Sequence, residues 1–446
     1  MRERRLSAIL LFTAPRSDSA DASPETPAGE PSGGTSLRCL AAVTLLTGLG
    51  AGLAGMALAL LLHLIQHFAY GYSLEGITRN ESFLQGVMAA APARRVAALL
   101  SCGLVAGCGW WAVYRFGVKE VSIKDAVAPG GPPMPFLTTM AHVLLQIATV
   151  ALGSPLGREV APREIGALLA GWFSCRGGLG AGETRIMIAC GAGAGLAAVY
   201  NVPLAGTVFV LEVLLRSIHP TVVIPAIVTS WIATVVARTG LGDVAQYRIP
   251  DYQISVALVV WSVLAGPLIG VAAHQYAKMA RWARANAPHD ARLIPWCLTI
   301  FGVIGVITIW LPQLPGNGKG PTELGLGGNI TVELAALLLV AKLVATTGTL
   351  RAGAEGGLLT PSLAIGALLS VVLGAGWNLA GFAVPEGAYA IVGATAFLGV
   401  SMRMPITAMM LTFELTHLSQ DFVIPIMAAT VGGTAVQEWR CLVCST

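Results

Sequence analysis

Apolar stretches near or above the ~20 residues needed to cross a bilayer recur along this chain from about residue 39 to residue 438. One such stretch makes an anchor, whereas many of them make a polytopic membrane protein. A span in hydrocarbon must satisfy its own backbone hydrogen bonds, so the expected fold is all-α. Composition agrees, with 55% hydrophobic and only 11% charged residues, against roughly 25% charged in a soluble domain. The 53 glycines and 25 prolines lie inside the apolar segments as well as between them. Broken backbone at that depth is tolerated only where it is buried in protein or lines a cavity, which favours a transporter or channel over a simple anchor.

Residues 1–38 carry Arg2, Arg4, Arg5, Arg16 and Arg38 around a Ser/Pro-rich stretch and read as a disordered cytoplasmic tail. A first transmembrane repeat is expected over 39–238, a polar linker loop over 239–252, a second repeat over 253–440, and a short C-terminal tail over 441–446. Spans are predicted near 39–68, 94–116, 134–152, 164–175, 183–200, 203–217 and 220–238. The second half places them near 253–284, 293–312, 331–350, 357–377, 387–400, 404–418 and 421–438. Several are too short to cross the bilayer alone, so helices that enter, stop and restart are expected. The cluster Lys278, Arg281, Arg284 and Arg292 is assigned to the cytoplasmic face.

The halves echo each other about 200 residues apart. Ala161-Pro162 followed by Ile165 to Leu169 returns as Thr360-Pro361 followed by Ile365 to Leu369. Asn201-Val202-Pro203-Leu204 with Phe209 to Glu212 returns as Arg403-Met404-Pro405-Ile406 with Leu411 to Glu414, and Val223-Ile224-Pro225 returns as Val423-Ile424-Pro425. Three echoes in one order mark a duplicated unit. In duplicated transporters the substrate sits where broken helices of the two repeats meet. The matching interruptions here are Gly153 to Pro162 and Gly353 to Pro361, each a loop whose proline opens a helix.

A helix N-terminus offers free N–H groups and about half a positive charge, so two converging N-termini form an anion site. Glu159 lies in the first loop, and a carboxylate at membrane depth is costly and rarely kept without a use. Ionised, it competes with an anion for those N–H groups; protonated, it swings away. The bland alternative is a surface ion pair of Arg158 with Glu159.

Other candidates are weaker. His63 and His67 have helical i, i+4 spacing but lack the glutamate of a zinc protease helix, and they read as interfacial. Cys441 and Cys444 form one C-x-x-C without a second pair. No cofactor or metal is expected. A net charge of +4 without a basic run interleaved with aromatics gives no reason to expect nucleic acid. An intramembrane hydrolase would need a zinc pair with its glutamate, a serine with a partnering histidine, or paired membrane aspartates. His63, His67 and Ser154 lack such companions.

The ordered motifs resemble the CLC family of chloride channels and proton-coupled chloride transporters over roughly residues 40–440. Gly157-Arg158-Glu159 resembles the family's G-[KR]-E-G-P, and Gly356 to Pro361 its G-G-x-F-x-P. Gly191 to Leu204 with Phe209 to Glu212 follows its glycine- and alanine-rich stretch, and Leu311-Pro312-Gln313 with Gly316-Asn317-Gly318 is also similar. The resemblance implies an inverted-repeat fold with broken and re-entrant helices, a homodimer with one pathway per subunit, and a multi-pass bacterial inner-membrane protein among its lipids. It implies Glu159 as the gate. It also implies backbone amides of Gly157, Arg158, Glu159, Val160 and Ala161 at an outer anion, and those of Leu358 and Leu359 at a central one.

Departures from the pattern shape the expected function. The serine that contacts the central anion aligns with Val118, the inner proton glutamate with Val213, beside Glu212, and the late tyrosine has no counterpart. Val160-Ala161 replaces the usual Gly-Pro. Glu212 and Glu414 are read as structural groups near helix ends, Glu212 being the better proton carrier of the two. Lys119 and Glu120 are read as a pair at the cytoplasmic vestibule. The function expected from the sequence is transport of chloride or a related anion, gated by Glu159 and passive because Val213 carries no proton. Proton-coupled chloride or fluoride antiport is the alternative, and a non-conducting scaffold a third reading.

Overall fold

The structure, a computed structural model, describes residues 37–71 and 83–444. Of the tail expected over 1–38, residues 1–36 lie outside the described residues, as do the side chains of Cys441 and Cys444, while Leu37 and Arg38 open the first helix. Among those described, regular structure is helical apart from one isolated bridge. The first half holds α1 (Leu37–Tyr70), α2 (Phe83–Ala89), α3 (Pro92–Phe116), α4 (Ile123–Ala126), α5 (Phe136–Ala151), α6 (Val160–Arg176) and α7 (Ala181–Tyr200). It ends with α8 (Pro203–Phe209), which runs into a π-helical turn (Val210–Leu214), and α9 (Pro220–Leu241). The second half holds α10 (Val256–Ala285), α11 (Leu293–Ile307), α12 (Lys319–Leu326), α13 (Val332–Ala352), α14 (Leu359–Leu379), α15 (Glu386–Met402), α16 (Pro405–Thr416) and α17 (Val423–Cys444). The short helices α2, α4 and α12 were not foreseen from the sequence; none is long or apolar enough to give a span signal.

Among the described residues six helices, α1, α3, α9, α10, α13 and α14, are long and apolar enough to cross a membrane. By contrast α5, at 16 residues, reaches only about 24 Å and stops short of ~30 Å of hydrocarbon. The interior is built from α7 and α15, apolar on all sides. Met187 to Tyr200 and Gly387 to Val400 are buried without a break. A helix without a polar face belongs inside a bundle. Close approach needs small residues, and a side chain on Gly191 of α7 would run into the backbone of Gly166 in α6. The outer helices instead expose large apolar side chains, among them Leu49 and Leu53 on α1, Trp231 on α9 and Leu268 on α10, as lipid-facing surfaces do.

The duplication is visible in the helix ends. Helices α6 to α9 return as α14 to α17. The helices before the two broken loops, α5 and α13, are followed by Gly153 and Gly353 at φ of 107° and 96°, a left-handed conformation natural to glycine. Asn201 and Arg403 close α7 and α15 in the same way, at φ of 60° and 56°. The halves also cap each other. The carboxylate of Glu212 accepts from the backbone N–H groups of Ile406 (3.0 Å) and Thr407 (2.7 Å) and from the Thr407 hydroxyl (2.6 Å), at the start of α16. Glu414 accepts from Leu204 N (2.9 Å) and Ala205 N (2.7 Å) at the start of α8. These carboxylates satisfy N–H groups that a helix start leaves orphaned, and they do so across the repeat interface.

Candidate functional site at the meeting of the broken loops

The two loops meet at equivalent glycines. Gly157 N donates to Gly357 O at 2.7 Å and Gly357 N donates to Gly157 O at 2.9 Å. This antiparallel exchange is the isolated bridge of the fold. Reciprocal bonds between positions 200 residues apart require a local two-fold relation, and they bring the starts of α6 and α14 together.

Glu159 occupies the N-cap position of α6 but does not cap that helix. Its side chain crosses to the other repeat, where Oε1 accepts from Leu359 N at 2.7 Å. Oε2 accepts from the Tyr200 hydroxyl at 3.4 Å, and that hydroxyl lies 3.1 Å from Oγ1 of Thr360. The carboxylate is 1% exposed. Leu358, the N-cap of α14, provides no side-chain cap, so a carboxylate from the opposite repeat sits at the positive end of this 21-residue helix. Glycine is needed on both sides, since a Cβ on Gly157 or on Gly357 would collide with the Glu159 carboxylate. The start of α14 thus offers an N–H group and a positive helix end to an oxyanion.

The approach from one side is cationic. A cavity of about 50 Å³ is lined by Arg158, Lys319, His63 and Asn317, among others. The Arg158 guanidinium lies 5.2 Å from the centre of the Tyr200 ring. Positive charge in a narrow cleft raises the local concentration of anions. At the other repeat, Arg284 near the end of α10 donates to Gly356 O at 2.6 Å and pins the second loop.

Two of the expected site residues, Val118 and Val213, are placed apart from this cluster. Val118 is 70% exposed in the connection after α3. Val213 lies on the π-helical turn beside Glu212, whose carboxylate is engaged by α16. Val160 and Ala161 form the first turn of α6, and Leu358 stands at the start of α14. The sequence reading set Glu159 against the N–H groups of two converging helix N-termini, and the N–H group it meets in the structure is that of Leu359, in the other repeat. Tyr200, Thr360, Lys319 and Arg284 were not singled out for this site. Of these, Tyr200 alone carries a signal in the sequence, as a phenol directly before the helix break at Asn201-Val202-Pro203.

A helical membrane protein of two inverted repeats, with helix N-termini converging on a buried carboxylate, belongs to the class of anion transport proteins. The chain belongs to the voltage gated chloride channel family, the CLC family, whose model matches residues 97–438. It is 29% identical over 352 residues to a putative chloride channel protein, ClcB-like, of Ralstonia nicotianae, covering 74% of this chain and 79% of that one. It is 27% identical over 361 residues to the H(+)/Cl(-) exchange transporter ClcA of Cronobacter sakazakii, covering 77% and 76%. Among solved structures, a slow cyanobacterial Cl-/H+ antiporter shares the fold with a TM-score of 0.76 at 20% identity, covering 90% of this chain and 94% of that one. A CLC-type fluoride/proton antiporter does so with a TM-score of 0.64 at 18% identity, covering 90% and 96%. The protein is therefore a multi-pass membrane protein of an anion-transport family.

Proposed function

We propose that this protein exchanges chloride for protons, with Glu159 as the group that both ions contest. The observation that carries this reading is the 2.7 Å bond from Leu359 N to Oε1 of Glu159. Ionised, the carboxylate holds the place of an anion at the start of α14. Protonated, it loses the charge that the helix end favours, so each proton that arrives frees a place for one anion. Relatives named as H(+)/Cl(-) exchange transporters support coupled exchange over the passive pathway expected from the sequence. That expectation rested on Val213, which removes one proton carrier and leaves Glu159 in place. Tyr200, whose hydroxyl is also bonded to Thr360, holds the second carboxylate oxygen, and Arg158 with Lys319 draws anions to the outer cavity. We place the protein in a bacterial cytoplasmic membrane as a homodimer, as the family resemblance implies.

The test is chloride efflux from liposomes holding the purified protein, with external pH recorded at the same time. A chloride gradient should drive protons uphill. Chloride flux with no proton movement would return the reading to a passive pathway, and fluoride in place of chloride would show which halide the site prefers.

A further inference from the structure

A second buried polar cluster lies beside the first and takes no part in holding the gate. On α5, His142 is stacked on Trp110 with ring centres 5.4 Å apart and is 6% exposed. Its Nδ1 lies 3.0 Å from Oε2 of Glu164 on α6, and its Nε2 lies 3.3 Å from Oε2 of Glu120 in the connection after α3. Gln146, one turn along α5 and fully buried, places its Nε2 2.8 Å from Nδ1 of His142 and 3.1 Å from Oε2 of Glu164. Two buried atoms in this cluster have no hydrogen-bond partner, Nε2 of His142 and Oε1 of Gln146. The Glu120 contact is close enough for a charge interaction but is not aligned as a hydrogen bond. An orphaned ring nitrogen in a nine-tenths buried side chain is costly, and it marks a group that changes partners.

The ligand types would suit a divalent cation, but their directions do not. The two ring nitrogens point away from each other, each toward a different carboxylate, and a single ion can take only one of them. Two carboxylates on opposite nitrogens of one imidazole instead make a path for a proton. The cluster also has a partner ready for each tautomer. With the proton on Nδ1, the ring donates to Glu164 and Nε2 is open to Glu120. With the proton on Nε2, the ring faces Glu120 and Nδ1 accepts from the amide of Gln146.

We infer that Glu120, His142 and Glu164 form the inner proton route of this transporter, in place of the glutamate that Val213 lacks. The inference rests on the exchange reading above. Glu120, whose side chain is 31% exposed, takes a proton from solvent. It passes that proton to Nε2 of His142, giving the imidazolium, and Nδ1 releases its own proton to Glu164. The ring regains its starting tautomer by proton exchange with water. Glu164 stands five residues after Glu159, about 7.5 Å further along α6 by the helical rise, a gap that about two water molecules bridge. Arg163, half-buried between them with its guanidinium 4.9 Å from the centre of the Phe209 ring, carries the charge that both carboxylates face.

The experiment compares wild type, Glu164→Gln, His142→Phe and Glu120→Gln, each reconstituted after passing a size-exclusion and thermal-melt check. The glutamine variants keep shape, and the one at position 120 lies at a half-buried loop, so a folded partner is at hand if the phenylalanine variant fails. Chloride-driven proton uptake should fall roughly a hundredfold in each variant, the scale set by loss of a positioned proton carrier, while chloride efflux persists. Wild-type coupling ratios in Glu164→Gln and Glu120→Gln would overturn the route and leave the exchange reading standing. No proton movement in the wild type would overturn the exchange reading itself. Stoichiometric metal in the purified wild type, lost in His142→Phe, would overturn the route in favour of a metal site.

Discussion

Replacing Glu159 by alanine removes the carboxylate that the start of α14 holds, and its consequence can be sized from one bond. The bond from Leu359 N to Oε1 is 2.7 Å long, and Glu159 is 1% exposed. A hydrogen bond to a charged group contributes about 1.5–3 kcal/mol net. At about 1.4 kcal/mol per decade, that is a factor of about 10 to about 150 in the fraction of molecules whose Leu359 N–H is open to another anion. Chloride binding to the purified protein, measured by isothermal titration at alkaline pH, should tighten by that factor in Glu159→Ala. Proton coupling should vanish in the same variant. Equal chloride affinity of wild type and Glu159→Ala at alkaline pH would refute the claim that carboxylate and anion share this N–H group.

Three further outcomes follow from the same geometry. Gly357→Ala should act oppositely to Glu159→Ala, since a methyl there fills the space of the carboxylate oxygen and hence of an anion; efflux should be lost in a protein that still purifies and melts as a folded one. Glu212→Ala should lower stability by roughly 1–3 kcal/mol, read as a lower melting temperature in detergent, because two backbone N–H groups and a hydroxyl at the start of α16 lose their acceptor. A stable Glu212→Ala protein with proton transport abolished would instead make that residue a proton carrier. Finally, burial, the largest influence, pushes the Glu120 carboxyl up to about 7, with His142 opposing and Glu164 and Glu355 adding to the rise. Proton uptake by the wild type should therefore fall as the pH on the Glu120 side rises through about 7, where the group loses its proton, and Glu120→Gln should remove that inflection.

Much of the architecture was legible in the sequence because hydrocarbon imposes it. Predicted spans near 39–68, 94–116 and 331–350 fall within α1 (Leu37–Tyr70), at α3 (Pro92–Phe116) and at α13 (Val332–Ala352). The cost of unsatisfied backbone in a bilayer writes each span as an apolar run. The two interruptions were legible for the same reason, since glycine and proline at depth need a cause. Glu159 stood out because a carboxylate there is expensive wherever it points. Its partner was not legible. The sequence places Glu159 beside Arg158 and Val160, and only the two-fold meeting of Gly157 with Gly357 carries it to Leu359. His142, Gln146 and Glu164 are still less visible, since each is an ordinary polar residue on an apolar helix. They become a set only when α5 and α6 pack against the connection that holds Glu120. The sequence by itself determined how much polar and broken backbone this membrane protein must hide, because that cost is local. Which N–H group meets which carboxylate was decided by the tertiary structure, because it depends on the faces that two repeats turn toward each other.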